Sequence, residues 1–172
     1  LPNCSNAIPI FSSVIQALKH TAPQHCIIGL SNEGGTIDQC LLQDLEDAIK
    51  NRLVLVNGLH EYLSEHPIFS TLIKQYDTTV LDIRKPKPTK ELKFWTGAIS
   101  EVKASRVVIM GTDCAVGKRS TCVLLLQALI QANEKAEMIY TGQTGYLLGY
   151  RYGFILDSTL NDFIAGELEA AI

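Results

Sequence analysis

The sequence lacks the features that mark membrane-spanning, nucleic-acid-binding and disordered proteins. Its 172 residues contain no apolar run near the ~20 residues that a membrane-spanning helix needs. Basic and acidic residues nearly balance, and the formal net charge of −3 provides no basic face to attract nucleic acid or an anionic membrane. Hydrophobic residues make up 47% and charged residues 19%, a mixture typical of globular proteins and not of disordered chains. We therefore expect a globular protein with neither nucleic acid nor a membrane as its partner.

The spacing of the cysteines excludes two kinds of site. The five cysteines are scattered and show no CxxC or Cys/His spacing: Cys4, Cys26, Cys40, Cys114 and Cys122. An odd, scattered set is not a disulfide framework, and it lacks the ligand spacing of a zinc site. We expect reduced thiols, no metal site and a cytoplasmic location.

Short β-rich runs alternate with helical patterns in the first half of the chain. Apolar runs at residues 7–11, 26–30, 53–56 and 79–83 predict four strands. Between them, Ser12 or Ser13 can cap one helix, a second pattern starts at Thr36, and a third includes Leu72, Ile73 and Tyr76. Repeated β-α units favour a parallel sheet, so we predict a Rossmann-like α/β unit.

The alternation breaks at residues 84–90, where two prolines and four cations stand within seven residues. Such a segment fits neither a helix nor a sheet interior. It is either solvated surface or an arm that touches an anionic ligand. We place a Rossmann-like domain at residues 1–88, a linker at 89–104 and a P-loop NTPase-like α/β domain at 105–172.

The second half predicts strands at residues 106–110 and 136–140 and a buried helix at 121–130, because that helix is apolar nearly all round. A last helix, capped by Asp157 or Ser158, runs to Ile172 without a stop signal. Two strands are too few for a sheet covered on both faces. We therefore expect an internal piece of a longer protein, truncated at both ends.

The strongest chemical signal follows the strand predicted at residues 106–110. It has the Gly-x4-Gly-Lys core of a phosphate-binding loop: Gly111, Thr112, Asp113, Cys114, Ala115, Val116, Gly117 and Lys118. Glycines let the backbone turn so that its N–H groups converge on a phosphate, at the positive end of a helix. Lys118 then adds a mobile charge. A strand-to-helix turn without a ligand is the alternative.

One position departs from the usual P-loop. Arg119 stands where a magnesium-binding Ser or Thr normally follows the lysine, and Ser120 and Thr121 come one and two residues late. Phosphate binding tolerates this shift more easily than magnesium geometry does. We include these three residues among the predicted phosphate ligands, and we predict no metal ligand.

Other candidates lie at the carboxyl ends of predicted strands, where ligands bind in open α/β sheets. Thr141, Gln143 and Thr144 belong to a Thr-Gly-rich segment that either faces the substrate or is a plain turn. His60 is a weak acid/base candidate, although a lone histidine is more often structural. Gln143 is also a weak catalytic candidate, because its amide can orient the acyl donor or acceptor. Cys114 is either an activated nucleophile or a small residue in a tight loop.

At these motifs the sequence resembles the D-glutamate N-acetyltransferase-like family, long described as a domain of unknown function. GTDCAVGK, TGQTG and LDSTLNDFIAG resemble its C-terminal P-loop domain, while NGLHEYLSEHP and LDIRKP resemble its N-terminal Rossmann-like domain. The resemblance spans Ile8 to Ile172, and members are roughly twice as long. The family loop also lacks a hydroxyl residue directly after the lysine.

The resemblance implies N-acetylation of D-glutamate with acetyl-CoA as co-substrate. The expected partner is a small amino acid, and we expect a homo-oligomer. Two alternatives stay open. One is an ATP- or GTP-dependent ligase or kinase that uses magnesium, because the Gly-Thr-Asp start also resembles dethiobiotin synthetase. The other is a non-catalytic nucleotide-binding module.

Overall fold

The computed structural model describes residues 8–30, 33–113 and 115–172. The chain divides into two compact units, Leu1–Lys85 and Pro86–Ile172. The division falls inside the segment of prolines and cations. Each unit contains its own parallel sheet, which confirms the predicted α/β class. In the described part of the chain, no helix combines the length and apolar character needed to cross a membrane.

The first unit is a parallel sheet in the order β1-β2-β3, with helices between the strands. Its elements are α1 (Val14–His20), β1 (His25–Ile28), α2 (Leu42–Lys50), β2 (Val54–Asn57), α3 (Phe69–Tyr76) and β3 (Val80–Asp82). His25 is the register partner of Val54, and Leu55 is the partner of Val80. All three strands therefore end at the same edge of the sheet.

The core of this unit lies between the sheet and α2. Leu45, Ala48 and Ile49 recur at helical spacing and are almost fully buried, so α2 presents one apolar face. Leu55 in β2 and Phe69 in α3 complete the same cluster. Burial of this many aliphatic and aromatic side chains is the main stabilising term for the unit.

The strand predicted at residues 7–11 is wrong for its described part. Residues 8–11 form no strand, and Ile8 and Ile10 are 77% and 96% exposed. A short apolar run shows no hydrophobic periodicity, so it does not distinguish a strand from an irregular segment that precedes a helix. Here the run precedes α1, whose predicted cap is confirmed, because the Ser13 side chain accepts a hydrogen bond from the Gln16 N–H. Ala7 lies outside the described residues.

The second unit contains α4 (Lys118–Gln131), β4 (Ile139–Tyr140), α5 (Gln143–Leu147), β5 (Tyr152–Gly153) and α6 (Asn161–Ala171). Strands β4 and β5 pair in parallel, with Ile139 opposite Tyr152. Phe154 and Phe163 are buried, and the ring of Phe163 lies 4.3 Å from that of Phe94 between centroids. The core of this unit therefore lies beside α6.

Two predictions for the second unit are wrong. Residues 106–110 form no strand, and Val108 and Met110 are 77% and 84% exposed. Helix α4 buries none of its described residues, although it was predicted to be buried, and Leu124 is 66% exposed. Apolar composition provides a tendency to pair or to be buried, but both outcomes need a neighbouring element. Among the described residues, no strand forms a β-ladder with residues 106–110.

Part of the predicted linker is held against α6. The Lys93 N–H donates to Glu167 at 2.9 Å, and the Thr96 and Ile99 N–H groups donate to Glu169 at 2.7 and 3.1 Å. Gly166 allows this close approach, because a Cβ there would overlap the Lys93 carbonyl. Residues 93–99 are thus an integral part of the second unit.

Candidate functional site

The predicted phosphate loop ends at the first residue of α4. Gly117 caps this helix with a φ of +93°, a left-handed conformation that favours glycine. Ala115 also has a positive φ, of +55°. Left-handed residues within a short loop turn successive N–H groups toward one side, which is how backbone concavities bind anions. Cys114 lies outside the described residues, so both interpretations of it remain predictions.

Lys118 lies over the start of its own loop. A Cβ at Gly111 would stand 2.7 Å from Val116 Cγ2 and 3.0 Å from Lys118 Cγ, so glycine leaves the space that the lysine stem crosses. The Lys118 ammonium donates a hydrogen bond to the Asp113 carbonyl oxygen. An ammonium has three donors, and a phosphate oxygen can replace this carbonyl as an acceptor. The geometry suits a lysine that acts on a ligand of the loop.

The residues after Lys118 form the first turn of α4. Arg119 and Ser120 are exposed. The Thr121 hydroxyl donates to the Gly117 carbonyl at 3.2 Å, so its donor is engaged within the helix. Thr112, near the start of the loop, is also exposed. Among the described residues, no three His, Cys, Asp or Glu side chains are grouped as a metal site requires.

The Thr141–Thr144 segment follows β4, as the sequence indicates. Thr141 is exposed, and its carbonyl accepts a hydrogen bond from the Leu156 N–H at 3.2 Å. Gln143 and Thr144 are half-buried at the start of α5. Gly145 lies directly against Tyr140, because a Cβ there would overlap the tyrosine side chain. The fold therefore fixes this segment, while its substrate-facing role stays a prediction.

Tyr140 is the ionisable residue that immediately precedes this segment. Burial raises the pKa of its phenol, and the neighbouring Tyr146 raises it further, whereas the charge of Lys87 acts in the opposite direction. The phenol therefore stays protonated at neutral pH and can donate a hydrogen bond.

His60 lies in the first unit, whereas Gln143 and the phosphate loop lie in the second. The backbone N–H of His60 donates to the Gly35 carbonyl at 2.9 Å. Gly35 has a φ of +62°, and a Cβ there would stand 2.6 Å from Cδ2 of the His60 ring. The imidazole is exposed and rests on a glycine that leaves space for it. Its acid/base role remains a prediction.

Sequence reasoning missed the network that shapes the loop around His60. Asn57 is fully buried, and its amide nitrogen donates to Asp82 at 2.8 Å while its amide oxygen accepts from the Leu59 N–H. The Asp82 carboxylate also accepts from the N–H groups of Leu63 and Ser64. A signal was present, because both Asn57 and Asp82 directly follow apolar strand residues within the motif segments.

Two family models match the two halves of the chain. A Rossmann-like domain of unknown function, DUF1611_N, matches residues 1–86, and a P-loop domain of unknown function, DUF1611_C, matches residues 93–172. The chain belongs to the DUF1611 family. The predicted family resemblance and the two-part fold are therefore confirmed.

Relatives of this DUF1611 chain include two proteins named D-glutamate N-acetyltransferase. One, from Pseudoalteromonas sp, is 34% identical over 84% of this chain and 42% of its own length. The other, from Tritonibacter scottomollicae, is 30% identical over 98% of this chain and 49% of its own length. A crystal structure of a DUF1611 family protein from Anabaena variabilis is 35% identical, with a TM-score of 0.82 over 96% of this chain and 47% of that one. The chain spans about half the length of these relatives.

Proposed function

We propose that this DUF1611 protein is an N-acetyltransferase that transfers the acetyl group of acetyl-CoA to D-glutamate. The observation that carries the proposal is the alignment of two relatives named D-glutamate N-acetyltransferase over 84% and 98% of the chain. The P-loop domain supports it, because the pyrophosphate and 3′-phosphate of CoA are anions of the kind that such a loop binds.

The described geometry fits a role in holding phosphate. The left-handed residues Ala115 and Gly117 shape the loop at the start of α4, and the Lys118 ammonium lies over it. Gly111 leaves room for the lysine stem. In this proposal the loop holds the co-substrate by its phosphates, while the reaction takes place at the thioester.

The chemistry assigned to the site is acyl transfer. The amine nitrogen of the acceptor attacks the thioester carbonyl, a C–N bond forms, the C–S bond breaks and CoA leaves as the thiol. The amine must lose a proton, and the oxygen of the thioester carbonyl needs a hydrogen-bond donor as its charge develops. Gln143 and Thr144 supply polar groups at a strand end for orientation, and His60 remains the acid/base candidate.

A CoA-binding loop needs no magnesium, because no phosphate reacts. An NTP-binding loop needs the cation to neutralise charge during phosphoryl transfer. Arg119, at the position usually held by a magnesium-binding hydroxyl, favours the first case. We therefore expect thiol release from acetyl-CoA with D-glutamate, at a rate that EDTA leaves unchanged.

The test is a colorimetric thiol assay of the intact protein, run with and without chelator. L-glutamate is the stereochemical control. Magnesium-dependent hydrolysis of ATP or GTP stimulated by an amino acid, without thiol release, would contradict the proposal and favour the ligase.

A further inference from the structure

Helix α4 has cations at its N-terminus, where the helix dipole disfavours them. Lys118 and Arg119 are its first two residues, and its first turn contains no acidic residue. Helices α2 and α6 show the opposite arrangement, with Asp44 and Asp162 in their first turns. Negative charge is stabilising at a helix N-terminus, and positive charge is destabilising. Two adjacent cations at this end therefore disfavour the ligand-free helix, and they suit a loop that binds an anion.

Arg119 is accessible to such an anion. It is exposed, and no hydrogen bond or ion pair joins it to another residue in the described part of the chain. Two other arginines of the same unit do have contacts. Arg106 donates a hydrogen bond to the Val102 carbonyl at 2.8 Å. The Arg151 guanidinium lies 5.1 Å from the centre of the Tyr152 ring. The fold thus engages these two guanidinium groups and leaves that of Arg119 available to a ligand.

The start of α4 places Arg119, and not a hydroxyl, at the position that normally binds magnesium. The Thr121 N–H donates the first helical hydrogen bond to the Gly117 carbonyl at 2.9 Å, so Lys118 is the first helical residue. Arg119 is therefore the second, where a P-loop usually has its magnesium-binding Ser or Thr. Successive residues of an α-helix are roughly 100° apart, so Ser120 and Thr121 project in other directions. The hydroxyl groups of this turn do not fit the usual magnesium geometry.

On the basis of the proposed function, we propose that Arg119 binds a phosphate of CoA in the place of magnesium, and that it makes the loop select metal-free phosphates over magnesium-bound nucleotides. A guanidinium presents its donors as a planar fork and can bind two phosphate oxygens at once. A magnesium ion on the same phosphates would stand close to this guanidinium. The repulsion between the two cations then weakens binding of a magnesium–nucleotide complex.

The experiment measures by calorimetry how CoA and ATP bind to the intact protein, with EDTA and with excess magnesium. We expect the wild type to bind CoA about equally in both conditions, and to bind ATP about tenfold more weakly with magnesium. Arg119→Thr removes the cation and restores the hydroxyl. It should lose about ten- to a hundredfold in affinity for CoA, and magnesium should now strengthen its binding of ATP.

Three further variants separate the charge from the hydroxyl. Arg119→Lys should keep the preference for metal-free ligands but bind CoA less tightly, because an ammonium lacks the planar fork. Arg119→Ala should lose affinity for CoA without gaining a response to magnesium. Arg106→Thr, at an exposed arginine of the same unit, is the matched control and should bind like wild type. The thermal midpoint of ligand-free Arg119→Ala should not fall below that of the wild type, because a cation is removed from the positive end of α4.

Unchanged affinity for CoA in Arg119→Thr would overturn the proposal, and so would tighter binding of ATP with magnesium in the wild type. A lower midpoint in Arg119→Ala would also overturn it, because Arg119 would then be a structural residue. Binding requires no turnover, so the result is independent of acetyl transfer. Arg119-dependent binding of CoA supports the proposal even if no thiol is released, and a wild type that binds neither ligand refutes it.

Discussion

In the first unit, strands β1 to β3 and helix α2 bury a continuous apolar cluster, whereas in the second unit α4 buries none of its described side chains. The second unit instead relies on a few aromatic contacts and on two carboxylates of α6, Glu167 and Glu169. Similar apolar content thus leads to two kinds of stabilisation. The difference indicates that side-chain truncation should damage the first unit most, while polar and backbone changes should matter more in the second.

The largest contrast is expected between Phe69→Ala in the first unit and Leu124→Ala in the second. Phe69 is 1% exposed and Leu124 is 66% exposed. Removing the buried ring leaves a cavity and should lower the free energy of unfolding by about 3–5 kcal/mol. The exposed leucine should contribute less than about 0.5 kcal/mol.

Urea denaturation can separate the two effects. Circular dichroism follows both units, while fluorescence of Trp95, the single tryptophan, reports on the second. A loss in Leu124→Ala as large as that in Phe69→Ala would show that α4 is covered in solution.

Ligand binding should depend on the phosphate loop and be insensitive to exposed cations outside the predicted site. Lys118→Ala removes the ammonium that lies over the loop and should weaken CoA binding by about ten- to a hundredfold, the value of a charge-assisted contact of roughly 1.5–3 kcal/mol. Lys135→Ala, at an exposed lysine of the same unit, is the control. Calorimetry with CoA measures both, and unchanged affinity for both CoA and nucleotide in Lys118→Ala would remove Lys118 from the site.

The sequence was sufficient to predict the class of fold, because class depends on local patterns. Alternating apolar runs and helical spacing predicted β1, β2 and β3, and the Gly-Lys motif predicted a loop at the start of α4. The predicted strand at 106–110 and the burial of α4 failed for a common reason. A strand needs a partner strand, and a buried helix needs a surface to pack against. Apolar composition identifies neither.

Sequence patterns could not predict the hydrogen-bond networks. Asn57 and Asp82 are 25 residues apart, and they meet because β2 and β3 pair in a particular register. Lys87 and Glu167 are 80 residues apart. Long-range polar pairs of this kind have no sequence period. They become visible only once the sheet and α6 are in place.

A smaller effect should come from backbone strain at the cap of α4. Gly117 has a φ of +93°, and no heavy atom lies within 4 Å of a Cβ built there, so Gly117→Ala introduces strain without a clash. The strain should cost about 1–2 kcal/mol and weaken CoA binding, because the backbone N–H groups of the loop would shift. Gly97 has a φ of +85° and equally open space, which makes Gly97→Ala the matched control. It should lose similar stability while keeping its affinity for CoA. Equal affinities in the two variants would mean that the Gly117 conformation is not needed for binding.

The smallest effect concerns pH and the contact of Glu169 with residues 96–99. Burial alone would raise the pKa of this carboxyl, but hydrogen bonds from Thr96, Ile99 and Gly97 outweigh it and lower the pKa below its ordinary range. A depressed pKa in the folded state stabilises the protein fully above the unfolded value of about 4.3, and this contribution is lost as the pH falls through the lower folded value. The second unit should therefore lose stability at acidic pH.

Trp95, next to Thr96, provides the signal for that loss. Its fluorescence in a urea titration at neutral pH and near pH 3 measures the change in stability. Glu169→Gln should be less stable at neutral pH and should show a smaller difference between the two pH values, because an amide does not titrate. Glu137→Gln, at an exposed carboxylate of the same unit, should behave like wild type. If Glu169→Gln retained the full acid sensitivity of the wild type, the acid response of the second unit would have to arise from another group.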